Sequence, residues 1–210
     1  MGKLRARTAD EKDERQREVI RVAKEIFMEL EYEDISLALI AKKLQITRPS
    51  LYNYFRSKEI LFLELSRQGY LAMSDKLERN FEKKLETNEF CQRLTTLFLE
   101  DKLFIKLVSL HQTVMESKAG QEQMTKFKTE TLPFFTTLKR VVDQQFPQAT
   151  SESKWVFIMQ LNVILPTFYN YTTIPQAQID AMQKVGTFGN TELKSPVQFY
   201  SNFIEKLVPM

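Results

Sequence analysis

Cysteine, histidine and glycine are scarce in this sequence of 210 residues. The single cysteine, Cys91, excludes an intramolecular disulfide and a zinc site built from several cysteines, which fits a reducing compartment. Only five glycines are present, and strand-like alternation of apolar and polar residues is nearly absent. We therefore expect an all-α fold.

Long apolar runs are also missing. No stretch approaches the roughly 18 residues that a membrane-spanning helix needs. The N-terminus is polar and has no apolar signal core, and Ala6 stands where a myristoylation signal has Ser or Thr. We expect a cytoplasmic protein with no membrane partner.

The motifs of common enzyme classes do not occur. The sequence has no HExxH, GxSxG, phosphate-loop or dinucleotide-binding glycine pattern, and its carboxylates are scattered along amphipathic segments. We predict no catalytic residue, no metal site and no cofactor, and hence no enzymatic activity.

The distribution of charge is more informative than the net charge of +3. Residues 1–58 carry thirteen Lys and Arg against ten Asp and Glu, whereas the rest of the chain carries seventeen of each. Residues 35–58 hold five basic residues and no acidic one. A positive field confined to this part of the chain is typical of a nucleic-acid interface.

Within that acid-free stretch, residues 46–55 read Ile-Thr-Arg-Pro-Ser-Leu-Tyr-Asn-Tyr-Phe. The pattern predicts a tight turn followed by a short helix whose outer face offers Arg, Ser and Tyr. Such a helix suits insertion into the major groove of DNA.

Apolar periodicity predicts helices along the whole chain. The first runs from about 13 to 31, the second over 37–44, and the fourth from 58 to about 84, with the short helix between them. Three side chains are placed to cap the second, third and fourth helices: Ser36, Thr47 and Ser57. Further helices are predicted over 88–100, 101–118, 121–146, 151–171, 176–186 and 195–208. Pro133 and Pro166 fall inside two of them and predict a kink or an interruption.

Residues 19–65 resemble the N-terminal domain of TetR-type (TetR/AcrR) transcriptional regulators. The shared pattern is a small residue late in helix one, an aromatic after a short loop, Ser or Thr before Ile-Ala, a turn into Ser or Thr, Leu-Tyr-x-Tyr-Phe, and Ser-Lys-Glu. The residues that carry it are Ala23, Tyr32, Ser36, Ile40, Ala41, Ile46, Thr47, 51–55 and 57–59. The chain departs from the family at Glu31 and Gln45, where glycine is common and positive φ is expected.

The resemblance implies a helix-turn-helix DNA-binding domain, 1–58, with a flexible N-terminal arm. Helix 58–84 links it to an all-α effector-binding and dimerisation domain, 59–210. The DNA-binding residues that it implies are Ser36, Thr47, Arg48, Pro49, Ser50, Tyr52, Tyr54 and Lys58.

Among these, Arg48 and Ser50 are the expected base readers and Pro49 the contact for a thymine methyl; the others are expected to contact phosphates. Helix capping alone would explain Ser36 and Thr47. For Tyr54, packing against the core is the alternative to a phosphate contact. Additional backbone or minor-groove contacts are expected from arm residues, if the arm is ordered: Lys3, Arg5 and Arg7.

The second domain offers two sets of apolar residues at helical spacing. The expected effector-binding residues are Phe104, Leu107, His111, Met115, Phe134, Trp155 and Asn162. The expected dimer interface is formed by Trp155, Met159, Phe199, Phe203, Ile204 and Leu207. Ordinary core packing is the alternative for both sets.

These expectations combine into a homodimeric repressor that a small apolar effector releases from a palindromic operator in double-stranded DNA. The alternatives are an activator, a regulator controlled by a protein partner, and a scaffold of the same fold that has lost DNA binding.

Overall fold

The computed structural model describes residues 9–110, 120–186 and 195–209, and it is helical throughout this part of the chain. It confirms the all-α prediction: the described residues form α-helices and one short 3-10 helix, with no strand among them. In chain order the α-helices are α1 (Ala9–Glu29), α2 (Leu37–Lys43), α3 (Arg48–Tyr52), α4 (Lys58–Asn80), α5 (Thr87–Glu100), α6 (Lys102–Leu110), α7 (Gln121–Gln145), α8 (Ser151–Thr172), α9 (Gln176–Lys184) and α10 (Pro196–Glu205). No described helix is both long and apolar enough to cross a membrane.

Side-chain caps begin the helices of the N-terminal domain, as the sequence predicts. The hydroxyl of Ser36 accepts a hydrogen bond from the Leu39 amide at 3.1 Å, and that of Thr47 accepts one from the Ser50 amide at 3.3 Å. Ser57 caps α4 in the same way. Each hydroxyl satisfies an amide that has no partner inside its own helix.

The two positions where the family commonly has glycine differ in conformation. Gln45, in the turn between α2 and α3, has φ 55°, which is the left-handed region that glycine favours. Glu31, after α1, has φ −74° and ψ 153°, which is ordinary extended backbone. The expected strain is therefore present at Gln45 and absent at Glu31.

Helix α4 joins α1, α2 and α3 to the rest of the molecule. Its first half is buried against α1 and the 3-10 helix (Tyr32–Asp34), where the Phe62 ring lies 5.1 Å from that of Phe27 and 4.9 Å from that of Tyr32. Its second half packs against α6 and α7. There the Ser74 hydroxyl donates to Thr137 at 2.8 Å. A movement of α4 would therefore displace side chains packed against it on both sides, from α1 and the 3-10 helix to α6 and α7.

Several predicted boundaries shift by a few residues. Helix α4 ends at Asn80 rather than near residue 84, and the Gln145 side chain bonds to both the amide and the carbonyl of Leu85 beyond it. Neither Pro133 nor Pro166 interrupts its helix, because α7 and α8 continue through them. An interruption is therefore wrong at both positions, and a kink, the other predicted outcome, stays a prediction.

Candidate nucleic-acid interface

Helix α3 is short, and one of its sides is buried in the core of the domain. The Leu51 side chain is completely buried and Phe55, one turn later, is nearly so. On the opposite side Arg48, Pro49 and Tyr52 are exposed. The spacing of four residues between Leu51 and Phe55 fixes the inner face, and so determines which side chains point outwards.

Arg48 and Tyr52 form a unit on the outer face of α3. The guanidinium of Arg48 donates to the Tyr52 hydroxyl at 3.1 Å, and its central carbon lies 5.6 Å from the centre of the Tyr52 ring. This contact holds an arginine fork in place before any ligand arrives. A positioned guanidinium can pair with the O6 and N7 atoms of guanine.

The capping hydroxyls of Ser36 and Thr47 are exposed at the N-termini of α2 and α3. Each accepts a bond from a backbone amide, which leaves its own proton free to be donated. Capping and a phosphate contact are therefore compatible in one side chain. Ser50 is half-buried beside them.

The Lys58 side chain, expected to contact a phosphate, also makes contacts within the domain. Its ammonium donates to the Tyr32 carbonyl at 2.7 Å and lies 3.9 Å from the centre of the Tyr32 ring. Burial, with a smaller contribution from the Glu59 carboxylate, raises the pKa of Tyr32 well above its usual range, so the phenol stays neutral. Lys58 thus joins the start of α4 to the 3-10 helix.

Tyr54 is half-buried and packs against the core, which supports the packing alternative for this residue. It lines a polar cleft between the DNA-binding domain and α7. In the cleft Arg67 bonds to Glu64 at 2.6 Å and approaches Glu130 of α7 at 3.8 Å. The arm residues Lys3, Arg5 and Arg7 lie outside the described residues.

Exposed basic residues lie close to α3 in the chain. Lys42 and Lys43 at the end of α2 are exposed beside α3, and no acidic residue occurs between 35 and 58. A short exposed helix and an exposed arginine thus occur within a stretch of chain that has no acidic residue.

Comparison with known families identifies this arrangement. Residues 19–65 match the family described as bacterial regulatory proteins, tetR family, and residues 67–191 match the tetracyclin repressor-like C-terminal domain. The chain belongs to the TetR family of transcriptional regulators. It is accordingly a DNA-binding transcription regulator with a helix-turn-helix domain and a helical C-terminal domain.

Solved structures of the family share the fold at low sequence identity. A protein described as a TetR-family regulator from Mesorhizobium loti is 15% identical over 96% of both chains, with a TM-score of 0.58. FadR from Bacillus subtilis, solved in complex with stearoyl-CoA, is 14% identical over 91% of this chain and 96% of its own, with a TM-score of 0.56. A TetR/AcrR regulator from Thermobifida fusca is 16% identical over 93% and 96%, with a TM-score of 0.56. No curated protein matches the chain in sequence.

The structure of this regulator brings only part of the expected effector-binding set together. Phe104, Leu107 and Phe134 are buried around α4, where the Tyr70 ring lies 5.3 Å from that of Phe104 and 5.1 Å from that of Phe134. A side-chain carbon at Gly69 would meet both Phe104 and Leu107 at 3.6 Å. Of the remaining members, Trp155 is 59% exposed on α8 and Asn162 is half-buried on the same helix, while His111 and Met115 lie outside the described residues.

Most of the expected dimer interface forms an exposed apolar surface on α8 and α10. Trp155, Met159, Phe199 and Phe203 are exposed and Leu207 is half-buried. Ile204 is different, because it is completely buried in the core of its own protomer and offers no surface to a partner.

The sequence analysis missed two exposed valines of this surface, Val156 and Val163, which lie beside Trp155 and Met159. Val163 is 67% exposed, more than Trp155 or Met159. Val156, Met159 and Val163 are spaced three and four residues apart, so helical periodicity extended along α8 would have found them.

Proposed function

We propose that this regulator is a homodimeric repressor whose two α3 helices enter successive major grooves of a near-palindromic operator. The observation that carries the proposal is the Arg48–Tyr52 unit, exposed on a helix with a buried inner face, in a stretch of chain without acidic residues. Two copies related by a two-fold axis would read half-sites about one DNA turn or more apart.

Reading of bases is assigned to the start of α3. Arg48 pairs with a guanine edge, Ser50 with a neighbouring base, and Pro49 contacts a thymine methyl. Phosphate contacts set the register without reading sequence, and they are assigned to Ser36, Thr47, Tyr52 and Lys58, whereas Tyr54 is assigned to packing.

Dimerisation is assigned to the exposed apolar surface of α8 and α10. Trp155, Met159, Val163, Phe199 and Phe203 leave a contiguous apolar area in water on one protomer. Two helices from each subunit packed across a two-fold axis would bury it as a four-helix interface. Such an interface also fixes the separation of the two α3 helices.

Release from DNA is assigned to a small apolar effector that binds near α4, α6 and α7. The aromatic and aliphatic lining around Tyr70, Phe104 and Phe134 suits an apolar ligand. The likeness of fold to FadR, which was solved with stearoyl-CoA, supports a ligand of this chemistry. The effector acts by preferring a conformation in which the α3 helices no longer match the operator.

The close packing of that cluster favours a second candidate. The rings of Tyr70, Phe104 and Phe134 already contact one another, as in an ordinary core. In the second candidate a protein partner, rather than a small molecule, controls the same DNA-binding domain. Thermal unfolding with a panel of fatty acids and acyl thioesters separates the two, because only a ligand-controlled regulator is stabilised by a member of the panel.

The DNA-binding proposal is tested by selecting duplexes from random-sequence DNA and measuring fluorescence anisotropy across a salt series. We expect a near-palindromic consensus. We also expect log affinity to fall with log salt by about 0.9 per phosphate neutralised, over roughly 6–8 contacts for a dimer. Equal binding to selected and scrambled duplexes would contradict sequence-specific regulation.

A further inference from the structure

Lys106, in the middle of α6, is a buried lysine with an unusual set of partners. Only 5% of the residue is exposed. Its ammonium donates to the carbonyl of Phe27 at 2.8 Å and to that of Leu30 at 2.9 Å, and it lies 3.6 Å from the Glu31 carboxylate. It also lies 4.6 Å from the centre of the Phe27 ring. Lysine is rarely buried unless its charge is compensated in this way.

The two carbonyls belong to the end of α1. The last carbonyls of an α-helix have no partner inside the helix and carry partial negative charge, so a cation there is stabilising. Helix α1 has no basic residue in its own last turn. Lys106 supplies that cation from the second domain, 79 residues beyond Phe27.

The end of α1 is also one of the positions where the chain departs from its family. Glu31 replaces the usual glycine and has extended backbone, so α1 does not end in a left-handed glycine. The ammonium of Lys106 takes over the role of satisfying the final carbonyls.

Helix α6 connects this cap to the part of the molecule where an effector is expected. Its residues Phe104 and Leu107 face Gly69 of α4, and α6 packs along α8. Tyr169 of α8 places its ring centre 5.6 Å from the Lys106 ammonium. One side chain therefore contacts the end of α1 and a helix of the second domain.

We infer that Lys106 is a positioning residue that ties the end of α1 to α6, so that the DNA-binding domain follows any displacement of α6. The inference rests on the proposed function in one respect, namely that the placement of α3 determines operator affinity. A shift of α6 must either carry α1 with it or leave a buried ammonium and two carbonyls without partners, and the second outcome is strongly disfavoured. Small movements at α6 are thereby converted into movements of the DNA-binding domain.

The test compares three variants of the full chain by hydrogen–deuterium exchange. Lys106→Met keeps an unbranched side chain of similar size but removes the donors. Lys154→Met is the matched control, because Lys154 is also largely buried and pairs across helices, with Asp143 at 3.4 Å, without touching α1. Glu31→Gln removes the carboxylate near Lys106 and leaves both carbonyl contacts in place.

For Lys106→Met we expect amides at the end of α1 and in α2 and α3 to exchange about tenfold faster, with α7 unchanged. Lys154→Met should accelerate exchange only where α7 meets α8. Glu31→Gln should change exchange at the end of α1 by less than about twofold, because the Glu31 side chain is 67% exposed. Equal acceleration in all helices of Lys106→Met, or none at the end of α1, would overturn the inference.

Operator affinity provides the second readout, on a duplex that the wild-type protein selects. We expect Lys106→Met to bind it about tenfold more weakly with unchanged non-specific binding, because apparent affinity scales with the fraction of molecules in the competent arrangement. Unchanged operator affinity alongside faster exchange would overturn the coupling role.

Failure of the proposed function would look different. A wild-type protein that selects no duplex would count against sequence-specific binding, while the exchange data would still decide whether Lys106 ties α1 to α6. If Lys106→Met does not fold, Lys106→Gln keeps a donor of shorter reach and is measured in the same way. Uniform acceleration in that variant would likewise overturn the inference.

Discussion

At the scale of single residues, the DNA-reading group is prepared by its own helix. Arg48 and Tyr52 are one turn apart, and the bond between them reduces the number of orientations that the guanidinium explores. Less conformational entropy is then lost when the arginine pairs with a base. Under the proposed function, this contact would favour specific over merely electrostatic binding.

Replacing Arg48 by Ala should remove a base contact. We expect the affinity for the selected operator to fall by about 1–3 kcal/mol per half-site, with relaxed preference at one base pair. The measurement is competition anisotropy against duplexes substituted at each position. Lys42→Ala is the matched control, since Lys42 is exposed on α2 and should weaken all duplexes alike; an unchanged base preference in Arg48→Ala would contradict the assignment.

Glycine substitutions at the two departures from the family should have opposite signs. Gln45→Gly relieves a left-handed non-glycine residue and should raise the free energy of unfolding by about 0.5 kcal/mol, the net of relieved strain and greater unfolded-state entropy. Glu31→Gly relieves nothing, because its φ is −74°, and should lower the free energy of unfolding by about 0.5–1 kcal/mol. Urea denaturation measures the change in the free energy of unfolding for each variant. If both variants were stabilised, or both destabilised, backbone conformation would not be what decides these changes.

At the scale of secondary-structure elements, the ends of several helices are defined by side chains that bond to their unpaired backbone groups. Local serine and threonine caps begin α2, α3 and α4, so their N-termini are set by neighbours in sequence. The end of α1 is set by Lys106 from a distant helix. Thr47 combines the two roles, because it caps α3 and is exposed towards the expected DNA.

Comparing Thr47→Ala with Ser57→Ala separates capping from DNA contact. Both lose one cap and should lower the free energy of unfolding by about 1 kcal/mol. Only Thr47→Ala should weaken operator binding, by about tenfold, through a lost hydrogen bond to a phosphate. Its salt dependence should stay the same because the hydroxyl is uncharged. If the two variants bound the operator with equal affinity, Thr47 would be a helix cap that makes no contact with DNA.

At the scale of the whole molecule, separation of function follows the helices. The proposed DNA-binding face lies on α2 and α3, the exposed apolar surface lies on α8 and α10, and α4 packs against elements of both domains. Because α4 is buried on both sides, a change in the second domain reaches the first through packed side chains.

A charge placed in the apolar surface should dissociate the proposed dimer. Val163→Glu buries an unpaired carboxylate in the expected interface, so we expect a monomer in light scattering at micromolar concentration and at least tenfold weaker operator binding. Leu132→Glu is the control, since Leu132 is similarly exposed, at 58%, but lies on α7. A dimer that survives Val163→Glu would contradict the assignment of this surface.

The sequence by itself determined the all-α class, the helix-turn-helix segment and its caps, because these depend on periodicity and on contacts three or four residues apart. Acid-free residues 35–58 likewise predict which side faces DNA, since charge is read directly from the sequence. The sequence could not determine which members of an apolar stripe face inwards. Phe203 and Ile204 are neighbours, yet Phe203 is 41% exposed and Ile204 is buried. Nor could the sequence place Lys106, which reads as a solvated lysine until the fold brings its ammonium to the carbonyls at the end of α1. Such outcomes depend on which helix covers which face, and only long-range packing decides that.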